Sequence, residues 1–139
     1  MTSMRLAVGT DERLALTDSV VAALEAAGHQ VDLLADGEEW PEVGRAVGQA
    51  VASGRADAGI VFCHTGTGVS IAANKVPGVR AALCADPETA RGARRWNDAN
   101  VLALALSSAT PDSARRTIEA FLSEPPDPPE APTISRVEA

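Results

Sequence analysis

Five short apolar segments recur along the chain, and each one ends near a turn or a polar residue. They cover residues 5–10, 30–36, 58–63, 79–84 and 100–106. Segments that are this short and this continuously apolar are typical of parallel strands with both faces buried. The pattern therefore predicts five strands in a mainly parallel sheet.

Amphipathic patterns with helix start and stop signals lie between and after these strands. The first begins with a Thr–Asp capping pair and stops at Gly28, and the second carries Pro41 in its first turn. The predicted helices span residues 17–27, 41–53, 70–75, 86–97 and 110–124. Alternating strands and helices indicate the α/β class, as a Rossmann-like three-layer α/β/α sandwich that binds ligands at the carboxyl ends of its strands.

The last part of the chain has a different composition. Residues 125–139 are rich in proline, which removes backbone donors and breaks helices. We expect no regular helix here, but an extended arm that is either disordered or packed on a partner subunit. The predicted organisation is one α/β domain over residues 1–124 and an arm over residues 125–139.

Composition narrows the possible partners and location. The chain has 139 residues and a formal net charge of −7, which argues against a nucleic-acid partner. No apolar run approaches the roughly 20 residues that a bilayer span requires, so no membrane partner is expected. The N-terminus lacks the apolar stretch of a signal peptide. We therefore expect a cytoplasmic protein.

Metal-binding side chains are scarce. The spacing of Cys63 and Cys84 fits no zinc pattern, and the chain has only two histidines, His29 and His64. A structural disulfide is not expected in the cytoplasm. We expect no metal site, no cofactor and a structural role for Cys84.

Polar residues gather where the predicted strands end. Asp11 follows the first strand, the glycine-rich turn 63–68 follows the third, and the helix before the fifth strand ends in Trp96 and Asn97. Such a turn at a helix start presents unpaired N–H groups and favours negative charge. These groups could border one cleft. From the residues alone, Cys63 is either a reacting group or a small buried hydrophobe.

Two segments carry a family resemblance. "GTGVSIAANKVPGVRAAL" (66–83) and "NDANVL" (97–102) resemble the signature segments of the ribose-5-phosphate isomerase B family, which includes galactose-6-phosphate isomerase subunits. The resemblance implies aldose–ketose isomerisation of a sugar phosphate through a cis-enediolate, with Cys63 as the base and Thr65 assisting. The turn over 65–69 would form the oxyanion hole. It also implies a homodimer or homotetramer with shared active sites, which the tail helps to build.

The sequence departs from the family pattern at positions that define the substrate. Glu12 stands where the family has a histidine after Asp11, and Trp96 replaces the histidine that assists ring opening. Ser107 replaces a phosphate-binding arginine, and only Arg136 remains of the basic tail motif. These changes favour an altered substrate: an open-chain sugar or tetrose phosphate, a non-phosphorylated sugar, or another small polyol or carbonyl compound.

The candidate catalytic residues are Cys63 and Thr65. Two alternatives remain open: an enzyme with other proton-abstraction chemistry, and a non-catalytic paralogue that binds a metabolite. His64 is either a new acid–base group or a surface imidazole. The candidate substrate-binding residues are Asp11, Glu12, His64, Gly66, Thr67, Gly68, Val69, Trp96, Asn97 and Arg136.

Overall fold

Five strands form one sheet in this computed structural model, which describes residues 2–138. Residues 1 and 139, the outer ends of the two predicted regions, lie outside the described residues. The strands are β1 (Arg5–Thr10), β2 (Gln30–Asp36), β3 (Ala58–Cys63), β4 (Ala81–Leu83) and β5 (Val101–Ala105). Their order is β2-β1-β3-β5-β4, and all four pairings are parallel. The predicted α/β fold is confirmed.

Helices cover both faces of the sheet. They are α1 (Ala15–Ala26), α2 (Trp40–Ala52), α3 (Thr67–Asn74), α4 (Pro87–Asn97) and α5 (Pro111–Ser123). Side chains of α1, α4 and α5 share one buried cluster with Ile60 and Phe62, and those of α2 and α3 share a second with Val61 and Cys63. Alternate residues of β3 thus point to opposite layers, as the two-residue period of a strand requires.

The layer that contains Cys63 is packed unusually closely. A Cβ added at Gly44 of α2 would lie 2.5 Å from Cβ of Ala72 and 2.8 Å from the backbone N of Ala73. Only glycine allows α2 and α3 to approach to this distance. This contact holds the first turns of the two helices beside the end of β3.

Two predicted boundaries need correction. The first helix begins at Ala15, because the hydroxyl of Thr17 bonds back to the N–H and carbonyl groups of Leu14 and stabilises an earlier start. The third begins at Thr67 instead of residue 70, because Gly66 takes a left-handed conformation that starts the helix directly after the turn.

The tail differs from the predicted extended arm. It forms a 3-10 turn (Pro128–Glu130), a four-residue helix α6 (Ala131–Ile134) and a second 3-10 turn (Ser135–Glu138). The expectation of no regular helix was therefore wrong. Pro132 lies in the first turn of α6, where a missing N–H breaks no helical hydrogen bond.

Candidate active site

The ends of β1 and β3 meet at the carboxyl edge of the sheet. Thr10 pairs with Phe62, and the N–H of Asp11 donates to the Phe62 carbonyl at 3.2 Å. Asp11 therefore lies beside the strand end that carries Cys63. Two of the predicted site segments are brought together by the parallel register alone.

The turn after β3 depends on Gly66. Its φ of 77° is left-handed, and an added Cβ would lie 2.5 Å from Cδ1 of Leu83 and 3.1 Å from the carbonyl carbon of Leu104. The first backbone bond of α3 joins the N–H of Ser70 to the Gly66 carbonyl. Within residues 2–138, no acceptor is recorded for the N–H groups of Thr67, Gly68 and Val69. They are available to an anionic oxygen.

Cys63 and Thr65 differ in their exposure. Cys63 is 4% exposed and its side chain lies in the α2–α3 layer, below the first turn of α3. Thr65 is exposed, and its hydroxyl lies 2.8 Å from that of Thr67. A small molecule at the open N–H groups would meet the Thr65 hydroxyl and the edge of Cys63.

The carboxyl of Asp11 lies in an unfavourable environment for negative charge. Burial raises its pKa, and the nearby charge of Glu12 raises it further, whereas its own backbone N–H and His64 act in the opposite direction. Its Oδ1 is buried, with no hydrogen-bond partner within residues 2–138. This oxygen is therefore free to accept a hydrogen bond from a hydroxyl group.

Trp40 covers the turn from the α2 side. A Cβ added at Gly68 would lie 2.8 Å from Cδ2 of Trp40, so the indole packs directly against the start of α3. The side chain is 44% exposed, which leaves part of the ring open to solvent.

Trp96, Asn97 and Arg136 lie at the other edge of the sheet within one chain. The adjoining Asp98 accepts hydrogen bonds from Arg80, which immediately precedes β4. Arg80 also pairs with Glu138 at 3.4 Å, which places the tail, and with it Arg136, at this amino edge. Helix α4 spans about 16 Å between the two edges. The chain therefore does not bring these three residues to Cys63 by itself, and that they share one cleft with Cys63 stays a prediction.

Two further features lie at the carboxyl edge. A cavity of about 310 Å³ adjoins Thr65, and its lining residues include Ser107, Ser108, Ser113 and Thr117. Arg13 follows Asp11 by two residues, and its 72% exposed side chain pairs with Asp36 at 3.3 Å. The sequence signals for these features are Ser107 and Ser108 directly after β5, and Arg13 after β1.

Other chemistry-bearing groups are limited. Burial, followed by the nearby charge of Asp86, raises the pKa of the Cys84 thiol to about 11, so this cysteine stays protonated at neutral pH. No cluster of three or more His, Cys, Asp or Glu side chains suited to a metal ion occurs within residues 2–138. None of the helices in that range is long and apolar enough to cross a membrane.

The comparisons with known proteins identify the family. The sequence model described as Ribose/Galactose Isomerase matches residues 6–138. The chain belongs to this family. Ribose-5-phosphate isomerase B of Escherichia coli is 42% identical over 84 residues, which cover 60% of this chain and 56% of that enzyme's length. This match thus spans little more than half of the bacterial enzyme.

Two other proteins match over more of the chain. D-erythrulose-4-phosphate isomerase of Pectobacterium atrosepticum is 33% identical over 125 residues, or 86% of this chain and 82% of that protein. The structure of ribose-5-phosphate isomerase B from Clostridium thermocellum superposes with a TM-score of 0.92 at 35% identity, covering 97% of this chain and 95% of that one. The predicted family resemblance is confirmed.

Proposed function

We propose that this protein is an aldose–ketose isomerase that acts on a short, open-chain sugar phosphate. The single observation that carries the proposal is the arrangement at the end of β3. There, Cys63, the Thr65 hydroxyl and three unpaired N–H groups of α3 lie within one turn of chain. This arrangement supplies both a base and an oxyanion hole.

The reaction needs one proton to move between two carbon atoms. Cys63 as thiolate takes the proton from the carbon beside the carbonyl, and the carbonyl oxygen gains negative charge as the enediolate forms. The N–H groups of Thr67, Gly68 and Val69 stabilise that oxygen. Return of the proton to the neighbouring carbon, together with transfer of the hydroxyl proton to the former carbonyl oxygen, completes the exchange of aldose and ketose. Thr65 assists by holding a substrate oxygen, and Oδ1 of Asp11 accepts a hydrogen bond from a substrate hydroxyl.

An open-chain substrate explains the tryptophan at position 96. In a tetrulose 4-phosphate the terminal oxygen is esterified, and closure of either remaining hydroxyl onto the C2 carbonyl would give a strained ring of three atoms. Such a sugar needs no acid to open a ring, so a histidine is not required. The similarity to a D-erythrulose-4-phosphate isomerase over 86% of this chain supports this choice of substrate class.

We further propose that two copies of the chain complete each site. Cys63 and Asp11 lie at the carboxyl edge, whereas Trp96, Asn97 and Arg136 lie at the amino edge of the same chain. Exposed large apolar side chains lie near both halves: Trp40 and Ile71 near one and Val137 near the other, while Leu83 and Trp96 line a common surface pocket. A homodimer or a dimer-based tetramer would bury them and join the halves. Glu12 and His64 then contact substrate hydroxyls.

In this arrangement, two arginines bind the phosphate. Arg13 is at the carboxyl edge with a single partner, Asp36, and Arg136 makes no ion pair within residues 2–138. By contrast, Arg94 pairs with Asp98 and Arg95 pairs with Glu124, both in the last turn of α4. We therefore infer that Arg13 and the Arg136 of a second copy grip the phosphate, a charge-assisted contact.

Proton exchange with solvent tests the role of Cys63. In deuterated water, the full chain should incorporate deuterium at C1 of D-erythrulose 4-phosphate, followed by proton NMR. Cys63→Ala should lower the exchange rate by about 10²–10⁴-fold, the usual contribution of a general base. Cys84→Ala, which removes the protonated second thiol, should leave it unchanged.

Three outcomes would each contradict a different part of the proposal. Exchange that survives Cys63→Ala would show that Cys63 is a packed thiol, a role that its 4% exposure also fits. Turnover of ribose 5-phosphate as fast as that of the tetrulose phosphate would remove the argument for an open-chain substrate. Absence of exchange with both sugars would favour a non-catalytic, metabolite-binding protein.

A further inference from the structure

The cavity of about 310 Å³ beside Thr65 lies between the loop after β5 and helix α5. Ser107 and Ser108 of the loop line it and are exposed, whereas Thr117 of α5 lines it and is only 1% exposed. We call this feature the β5–α5 cavity. Its volume is at the lower end of the range for small-molecule sites, roughly 300–1,000 Å³.

The hydroxyl of Thr117 is unpaired and opens into this cavity. The side-chain hydrogen bonds recorded along α5, within residues 2–138, do not include Thr117. In the same range, the unpaired side-chain atoms that have no accessible surface are Asp11 Oδ1 and His29 Nε2, and Thr117 Oγ1 is not one of them. This oxygen therefore keeps accessible surface. Because Thr117 is otherwise buried and lines the cavity, that surface faces the cavity.

Two more unpaired hydroxyls lie at the mouth. Within residues 2–138 no hydrogen bond is recorded for the side chains of Ser107 and Ser108, although the Ser107 N–H donates to the His64 carbonyl at 2.9 Å and holds the loop. Thr117 lies six residues after Pro111, the first residue of α5, which is about 9 Å along the helix axis. The unpaired hydroxyls are therefore found both at the mouth and at the floor.

The fourth hydroxyl of the lining is already used. Ser113 accepts a hydrogen bond from the N–H of Thr110 at 2.9 Å and donates one to the Thr110 carbonyl at 3.2 Å. It caps the start of α5, as a serine in the first turn of a helix commonly does. The hydroxyls of Ser107, Ser108 and Thr117 have no such structural role and remain available to a ligand.

The rest of the lining determines the charge of the occupant. Its walls include the apolar side chains of Leu83, Leu104 and Ala114, and no charged side chain of residues 2–138 lines it. Cys84 also lines it, as a neutral thiol. A phosphate or carboxylate would lose its hydration here without meeting a cation, which is costly. Since each hydroxyl both donates and accepts, the complementary ligand is neutral and carries several hydroxyl groups of its own.

We propose that the β5–α5 cavity binds a short neutral polyol, with one hydroxyl bonded to Thr117 at the floor and others bonded to Ser107 and Ser108 at the mouth. Leu104, Cys84 and Ala114 belong to the buried layer opposite to that of Cys63. The site is thus distinct from the turn that carries the proposed oxyanion hole and does not depend on isomerase activity.

Titration of the full chain with erythritol and with butane-1,4-diol, followed by proton–nitrogen NMR, tests the proposal. Both probes have the same carbon chain, but the diol lacks the two inner hydroxyls. Erythritol should shift the amide signals of Ser108, Ala109 and Ala114 saturably. It should bind at least about fivefold more tightly than the diol, the effect of one or more hydrogen bonds.

Substitutions at Thr117 separate its hydroxyl from its packing. Thr117→Val keeps the shape of the side chain but removes the hydroxyl, and it should weaken erythritol binding about fivefold. Thr117→Ser keeps the hydroxyl and should retain most of the affinity. At the mouth, Ser108→Ala should also weaken binding. Ser19→Ala, at an exposed position on α1 outside the cavity lining, should leave it unchanged.

Four results would overturn the inference. Equal affinity for erythritol and the diol, or equal effects of Thr117→Val and Thr117→Ser, would show that the hydroxyls do not recognise the ligand. Erythritol shifts confined to Thr67, Gly68 and Val69 would place the polyol at the proposed isomerase turn alone. Absence of any saturable shift would show that the cavity holds only water.

Discussion

At the carboxyl edge, single residues can lower the stability of the fold and yet carry a polar group that is open to a ligand. Asp11 is the clearest case, because burial and Glu12 both raise the pKa of its carboxyl while one oxygen has no partner. A group that improves stability would instead be exposed or paired. The position is therefore better explained by contact with a ligand than by folding.

The stability of Asp11→Asn should change with pH in a defined direction. Because the folded state raises the pKa of Asp11, ionising this carboxyl disfavours folding. That penalty is absent below the unfolded value of about 4 and grows as pH rises through the folded value. Relative to the wild type, Asp11→Asn should become more stable as pH rises from about 4 to 7, in urea unfolding at several pH values.

Asp57→Asn provides a control of opposite sign. The N–H and guanidinium of Arg5 lower the pKa of Asp57, so its ionised form stabilises the fold above a pH of about 4. This variant should be less stable than the wild type at pH 7, with the deficit shrinking as pH falls below about 4. A parallel pH response of the two variants would contradict both assignments.

At the scale of the helices and strands, the close approach of α2 and α3 positions the turn that carries the proposed oxyanion hole. Gly44 permits this approach, and Trp40 at the start of α2 then packs on Gly68 at the start of α3. Both contacts depend on the absence of a Cβ. The same two contacts therefore determine both the packing of this layer and the shape of the proposed site.

Gly44→Ala should therefore destabilise the protein. Alanine gains about 1 kcal/mol of helix propensity, but the added Cβ would meet Val69 O and Ala73 N, each at 2.8 Å, and these backbone atoms cannot rotate away. We expect a net loss of about 2 kcal/mol in urea unfolding. Gln49→Ala, at an exposed position of the same helix, should change stability by less than about 0.5 kcal/mol. Equal effects would show that α2 can move without cost.

The elements that could be predicted from the sequence are those with a strong local signal. All five strands were located within two residues at each end, because their apolar segments end at turns. The start of α3 was missed, since it depends on the left-handed Gly66 packing against Leu83. The helical turns of the tail were missed as well, because five prolines appeared to forbid them while Pro132 tolerates a first turn.

At the scale of the whole molecule, the proposed site could be predicted only in part. Asp11, Cys63 and the turn 65–69 share an edge because parallel strands end together, which follows from the strand pattern. The position of Trp96 at the opposite edge depends on the direction of α4, which returns from the end of β4 to the start of β5. Matching a motif shows which residues belong to a site, but not which chain supplies them.

Mixed oligomers test whether two chains share a site. Cys63→Ala removes the proposed base from one half, and Arg136→Ala removes the phosphate contact from the other. In a randomly mixed dimer population, half of the dimers contain one of each chain, and each of these has one intact site of two. After unfolding and refolding together, the mixture should recover about a quarter of the wild-type tetrulose-phosphate exchange.

The separate variants and a second pair complete this experiment. Each variant refolded alone should stay well below the mixture, and Cys63→Ala mixed with Asn97→Ala should recover activity in the same way, because Asn97 lies on the same half as Arg136. A mixture no more active than its parts would place the whole site in one chain. That result would require α4 and the tail to move from the amino edge, a change of about 16 Å, so a split site explains the present structure with less rearrangement.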